Sequence, residues 1–136
     1  MNNHDNDKRP YEKLMAAVIN RAVLDMCIKP RGRKFTHRVV ASGEGASPIR
    51  AIEFIFKNGT MAKVYLELLG IDIEVFRERL LKTMYAPQSL GDKKILTKEI
   101  SEGHKRAFRF NYNQYQIEEA KTAALKAEME KWRKLG

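Results

Sequence analysis

The stretch Thr60–Met84, TMAKVYLELLGIDIEVFRERLLKTM, decides the fold. It reads as two short helices joined by a tight turn. Thr60 is placed to cap a first helix over Met61–Leu69. Gly70 supplies the left-handed residue that ends it. Asp72 caps the second helix, where a carboxylate suits the positive end of the helix dipole. Ile73, Phe76, Leu80 and Met84 share one face of that helix. Helix, glycine turn and amphipathic helix together outline a helix-turn-helix, and an ordinary structural corner has the same outline. Leu69 and Ile71 flank the turn as the pattern wants, whereas Leu66 stands where it favours a small residue. The second helix opens with Asp72 and Glu74, and its cations Arg77, Arg79 and Lys82 come later. A recognition helix presents its first turn to base edges, so the two carboxylates weigh against duplex reading from that end.

On the N-terminal side, Ser47–Pro48 is a strong helix start, a capping hydroxyl followed by proline. The helix is expected over Pro48–Lys57 and is stopped by Asn58–Gly59. Its apolar run AIEFIF makes it central to the core, and it is expected to support the corner as the third helix of a trihelical unit at 48–84. Further back, Pro10 opens a helix reaching about Ile28. Tyr11, Leu14, Met15, Val18, Ala22 and Met26 keep helical spacing, Ile19 and Val23 widen the stripe, and the whole stripe is assigned to the core. Residues 1–9 are polar and are expected to form a disordered tail.

Between these helices lies Lys29–Arg38, KPRGRKFTHR, with Lys29, Arg31, Arg33, Lys34 and Arg38 and no acid. Pro30 and Gly32 argue against helix there. Five cations in ten residues repel one another without a counter-charge, so an anion contact is preferred over a merely solvated connector. A basic arm of this kind follows phosphates or lies in a minor groove. The glycines of SGEGAS (residues 42–47) lack the Gly-Lys-Ser/Thr ending of a phosphate loop.

Beyond Met84, Pro87 and Gly91 mark a loop, and Ile95–Gly103 reads as a short helix starting near Thr97, or else an irregular piece tucking Ile95, Leu96 and Ile100 onto the core. His104–Tyr115, HKRAFRFNYNQY, mixes Lys105, Arg106 and Arg109 with aromatic rings. Rings that stack on bases beside cations that hold a backbone make a single-strand surface. The preferred reading has Phe108 and Tyr112 anchoring the last helix while the cations stay solvated. That helix, 111–136, is rich in Ala, Glu and Lys. Its apolar stripe is thin, and Trp132 near its end is a candidate interface anchor for a homodimer.

The 136 residues carry a net charge of +9 and a pI of about 9.7, with 43% hydrophobic residues. A folded chain attracted to an anionic partner follows. The charge lies off the corner: +4 over 1–46 and +3 over 87–110, against +1 over 47–86. One cysteine, Cys27, forms no internal disulfide and reads as a small core residue in a reducing, cytoplasmic setting. No run suits a membrane span. His4, His37 and His104 lack metal-ligand spacing, and no nucleophile is paired with a base. Neither a cofactor nor catalysis is expected.

The segment Ala51–Leu81, AIEFIFKNG…YLELLGIDIEVFRERLL, resembles a pattern in small phage and prophage proteins, where an apolar helix precedes a Leu-Gly-[Ile/Leu]-Asp…Phe/Leu-Arg corner. Phe108–Tyr112, FRFNY, is similar to their basic-aromatic end. The resemblance implies a phage-related origin and a helix-turn-helix-like core. The expectation is therefore an all-α protein: a helical domain over 10–110 and a C-terminal helix over 111–136. Its expected function is non-enzymatic nucleic-acid binding, with DNA the preferred ligand, as a phage-type regulatory or packaging factor. The competing class is a protein-interaction factor that redirects a host machine through its basic surface and last helix.

Overall fold

The computed structural model describes residues 9–29, 47–87, 93–96 and 98–136. They are mainly α-helical. In chain order they form α1 (Pro10–Met26), α2 (Pro48–Phe56), α3 (Ala62–Leu68), α4 (Ile73–Met84), a hairpin of β1 (Lys93–Ile95) and β2 (Lys98–Ile100), and α5 (Glu102–Leu135).

Local chemistry sets most helix starts. Pro10 and Pro48 are first-turn prolines of α1 and α2. Ser47 Oγ accepts from the Ile49 amide at 3.2 Å. Asp72 Oδ1 accepts from the Glu74 and Val75 amides at 2.8 and 3.1 Å, closing the start of α4 as expected. Gly70 has φ +78°, the left-handed value that ends α3. Thr60 acts differently from the expected cap. Its hydroxyl donates to the Phe54 carbonyl at 2.5 Å and only weakly accepts from Ala62 N at 3.4 Å. It ties the corner back to α2.

The core joins Ile19, Val23 and Met26 of α1 to Ile52 and Ile55 of α2 and Ala62 and Leu66 of α3. Ile73, Phe76, Leu80 and Met84 of α4 and Phe108 of α5 complete it, all buried on the faces their spacing predicts. α2 packs chiefly on α1 and α5, and the α3–α4 pair leans on α1 and α5 in turn. The expected trihelical unit at 48–84 is therefore not a self-contained body.

Three expectations are corrected. The apolar stripe of α1 is core only in its second half: Leu14 is 65% exposed and Tyr11 39%. α2 has nine residues against seventeen in α1, so at about 1.5 Å per residue it is too short to cover the whole helix. Residues 95–103 do not form a helix of their own. Ile95 closes β1, Lys98–Ile100 form β2 and Glu102–Gly103 open α5; the strands pair antiparallel in register Lys93↔Ile100, Lys94↔Glu99 and Ile95↔Lys98, with Ile95 and Ile100 buried. The last helix starts at Glu102 rather than near Asn111, so the expected boundary at 110/111 falls inside one continuous helix of 34 residues. Its start is a capping box, in which Ser101 Oγ accepts from His104 N and His104 Nδ1 accepts from Ser101 N, both at 3.2 Å.

Candidate nucleic-acid interface

Three of the cations singled out from sequence are consumed inside the fold. Arg77 is nearly buried, with 11% of its side chain exposed. Its Nε donates to Ile55 O at 2.6 Å, and its Nη1 reaches Asn58 Oδ1 and Glu74 Oε2 at 3.2 and 3.1 Å. Arg109 donates from Nη1 to Met84 O at 2.7 Å and pairs with Glu102 at 3.5 Å. Lys105 is fully buried, 3.7 Å from Glu102. A helix leaves its last carbonyls without intrahelical partners. Arg77 serves those of α2 and Arg109 those of α4. Asn111 does the same for α1, its Nδ2 donating to Met26 O and Ile28 O at 2.9 Å each. The expected outward-facing Lys105 and Arg109 are thus corrected to structural cations.

The remaining described cations face solvent. Arg79, Lys82, Lys29 and Arg106 are exposed. Lys82 pairs with Glu78 at 2.9 Å. No ion pair involves Arg79, Lys29, Arg106 or Lys94 among the described residues. Arg31, Arg33, Lys34 and Arg38 lie outside the described residues.

Two grooves gather the exposed cations. One lies between the end of α1 and the start of α5 and has a volume of about 560 Å³. Cys27, Lys29, His104, Arg106 and Phe110 are among the residues that line it. Phe110 is 48% exposed. The groove brings the first residue of the basic run beside the basic-aromatic segment, two stretches about 75 positions apart in sequence. The other groove, about 580 Å³, lies between α4 and the hairpin and is lined by Val75, Glu78, Arg79, Lys82 and Lys94 among others.

The aromatic segment splits as helical geometry requires. Phe108 and Tyr112 turn inward and hold α5 to α2: the Phe56 and Tyr112 rings are 5.0 Å apart and Phe108 and Tyr112 stack at 5.3 Å. Arg106 and Phe110 turn outward. Burial pushes the Tyr112 phenol up, and burial together with the nearby Glu119 carboxylate pushes Tyr115 up to about 12. Burial likewise pushes the Cys27 thiol up to about 12, which leaves it a poor nucleophile.

Sequence reasoning gave Lys94 no role, because the hairpin that carries it was not expected. The only sequence signal is the spacing of Ile95 and Ile100. Trp132 is 67% exposed, on a half of α5 where Leu125 and Met129 are also exposed. No group of His, Cys, Asp and Glu placed to hold a metal is found among the described residues, and no helix there is long and apolar enough to cross a membrane. No protein-family model matches the chain, and neither does any curated protein or solved structure.

Proposed function

We propose that this protein is a non-enzymatic nucleic-acid-binding protein. The observation that supports this most is the groove where Lys29 and Arg106 lie with the exposed ring of Phe110. Exposed cations with no ion pair among the described residues, beside an accessible aromatic face, are what a phosphate backbone with unpaired bases needs. Lys29 is also the root of the run that carries Arg31, Arg33, Lys34 and Arg38, so further cations follow it in the chain. A regulatory or packaging role in a phage setting accords with the resemblance of Ala51–Leu81.

The test is fluorescence anisotropy with labelled single-stranded and duplex DNA of random sequence at two salt concentrations. Binding is expected that weakens steeply with salt, with a slope of roughly −0.7 per phosphate contacted on a single strand and −0.9 on a duplex. Absence of binding at low salt contradicts the proposal.

A second reading, an interaction factor for a protein partner or a second copy, draws on Leu125, Met129 and Trp132. They fall at i, i+4 and i+7 of α5, all more than half exposed, the spacing of helix-in-groove anchors. Sedimentation and pull-down from a host lysate, compared with Trp132→Ala, separate it from the first.

A further inference from the structure

Among the described residues the groove between α4 and the hairpin shares no lining with the Lys29–Arg106 groove, and its chemistry differs. Val75, Glu78, Arg79 and Lys82 stand three or four residues apart on α4, on the face opposite buried Ile73, Phe76, Leu80 and Met84. Val75 is 61% exposed. Lys94, on the hairpin face opposite Ile95, supplies a cation from the other wall. The helix that presents this stripe is firmly held. Asp72 closes its start, Arg77 ties its middle to α2, and Arg109 closes its end.

Three acids near this surface are engaged by neighbours of their own, while exposed Glu99 stands opposite Lys94 in the hairpin register. Glu78 is paired with Lys82 at 2.9 Å and Glu74 with Arg77 at 3.1 Å. The Asp72 carboxylate accepts two amides of its own helix. This leaves Arg79 and Lys94 as the cations without an ion pair among the described residues of the groove.

Among the described residues the lining contains no aromatic ring. Base stacking, the usual means of holding a single strand, is therefore missing here, whereas Phe110 provides it in the other groove. An exposed helix stripe of Val75, Arg79 and the Glu78–Lys82 pair, faced by Lys94 across the groove, instead suits a duplex. An α-helix is about 10–12 Å across, and the major groove of B-form DNA is about 12 Å wide, while a duplex RNA major groove is too deep and narrow to admit side chains.

We propose that α4 and the hairpin together form a double-stranded DNA contact, in which the Val75–Arg79–Lys82 stripe enters the major groove and Lys94 meets the adjoining phosphates. This rests on the nucleic-acid reading above and assigns it a strand form at a second site. The experiment compares wild type with Arg79→Ala/Lys94→Ala by anisotropy on a duplex DNA, the matching single strand and the matching duplex RNA. Both residues are exposed, and circular dichroism and urea midpoints check that the fold is kept. The double variant is expected to lose about tenfold or more in duplex DNA affinity and to flatten the salt slope by about two units. Its single-strand affinity is expected to stay within about twofold of wild type.

Duplex affinity and slope equal to wild type overturn the assignment. So does an equal loss on single strand and duplex, which marks a general field effect, or tighter wild-type binding to duplex RNA than to duplex DNA. Wild-type binding to single strands alone overturns this inference while leaving the nucleic-acid reading intact. Binding to none of the three overturns both.

Discussion

Arg77 and Ile55 are joined by the guanidinium Nε donating to the carbonyl oxygen at 2.6 Å, across 22 positions of sequence. The bond turns the most central cation of the corner inward, onto the end of α2. A charge-assisted bond of this kind contributes about 1.5–3 kcal/mol. Arg77→Ala is therefore expected to lower stability by roughly 2–3 kcal/mol in urea denaturation. Arg77→Lys is expected to recover only part of the loss, since a point charge cannot reproduce the planar fork. Affinity for nucleic acid, measured where both variants are folded, is expected to stay near wild type.

Asn111 does for α1 what Arg77 does for α2. It is fully buried, and both of its Nδ2 bonds end on carbonyls at the close of α1. Asn111→Ala removes two bonds of about 1 kcal/mol each and strands their acceptors, for an expected loss of about 2–3 kcal/mol. Asn111→Asp is expected to cost more, because it sets a buried carboxylate against two carbonyl oxygens. Equilibrium unfolding in urea reads both.

Cys27 is expected to be inert toward a thiol-specific reagent at pH 8 in the native protein and to react fully once the chain is unfolded. It is 6% exposed and its thiol is pushed up to about 12 by burial. Native labelling at the rate of a free thiol contradicts that placement.

The phenols set an alkaline limit. Tyr112 and Tyr115 both titrate above their ordinary 10.0 in the fold, Tyr115 near 12. Between those values the unfolded chain has given up protons that the folded chain still holds. Stability then falls as pH rises. Their contribution is expected to be intact below about pH 10 and to be lost from 10 towards 12. Tyr115→Phe is expected to flatten that part of the profile, which urea midpoints across the pH range measure.

The projecting half of α5 is expected to be dispensable for folding. Every residue from Lys121 to Gly136 is exposed. A chain ending at Ala120 is expected to keep a urea midpoint close to wild type. If a protein partner or second copy docks on Leu125, Met129 and Trp132, the shortened chain loses that association while the fold remains, a separation sedimentation velocity resolves.

Much of the fold is written in local chemistry. The Ser47–Pro48 start, the Gly70 turn and the Asp72 cap each depend on residues within a few positions, and each is legible. The hairpin is not. Leu96, which follows β1, has φ +56°, and the sequence there lacks the Asn-Gly or Asp-Gly that usually signals a hairpin. The strands have three residues each, held by the burial of Ile95 and Ile100. The division among the cations is also beyond sequence reading. Lys105 and Arg106 are neighbours, yet one is fully buried and the other exposed. Which of them faces outward is set by how α5 rolls onto α2 through Phe108 and Tyr112, a tertiary choice. The half-bare stripe of α1 has the same origin, since nothing in α1 itself records how short α2 is.

The most direct test of the central claim is anisotropy titration of a labelled single-stranded oligonucleotide with wild type, Arg106→Ala/Phe110→Ala and Arg77→Ala at low salt. If the Lys29–Arg106 groove holds the strand, the double variant binds at least about tenfold more weakly, since stacking on one ring alone is worth about 1–3 kcal/mol, while folded Arg77→Ala binds like wild type. Equal affinity for wild type and the double variant would contradict the account.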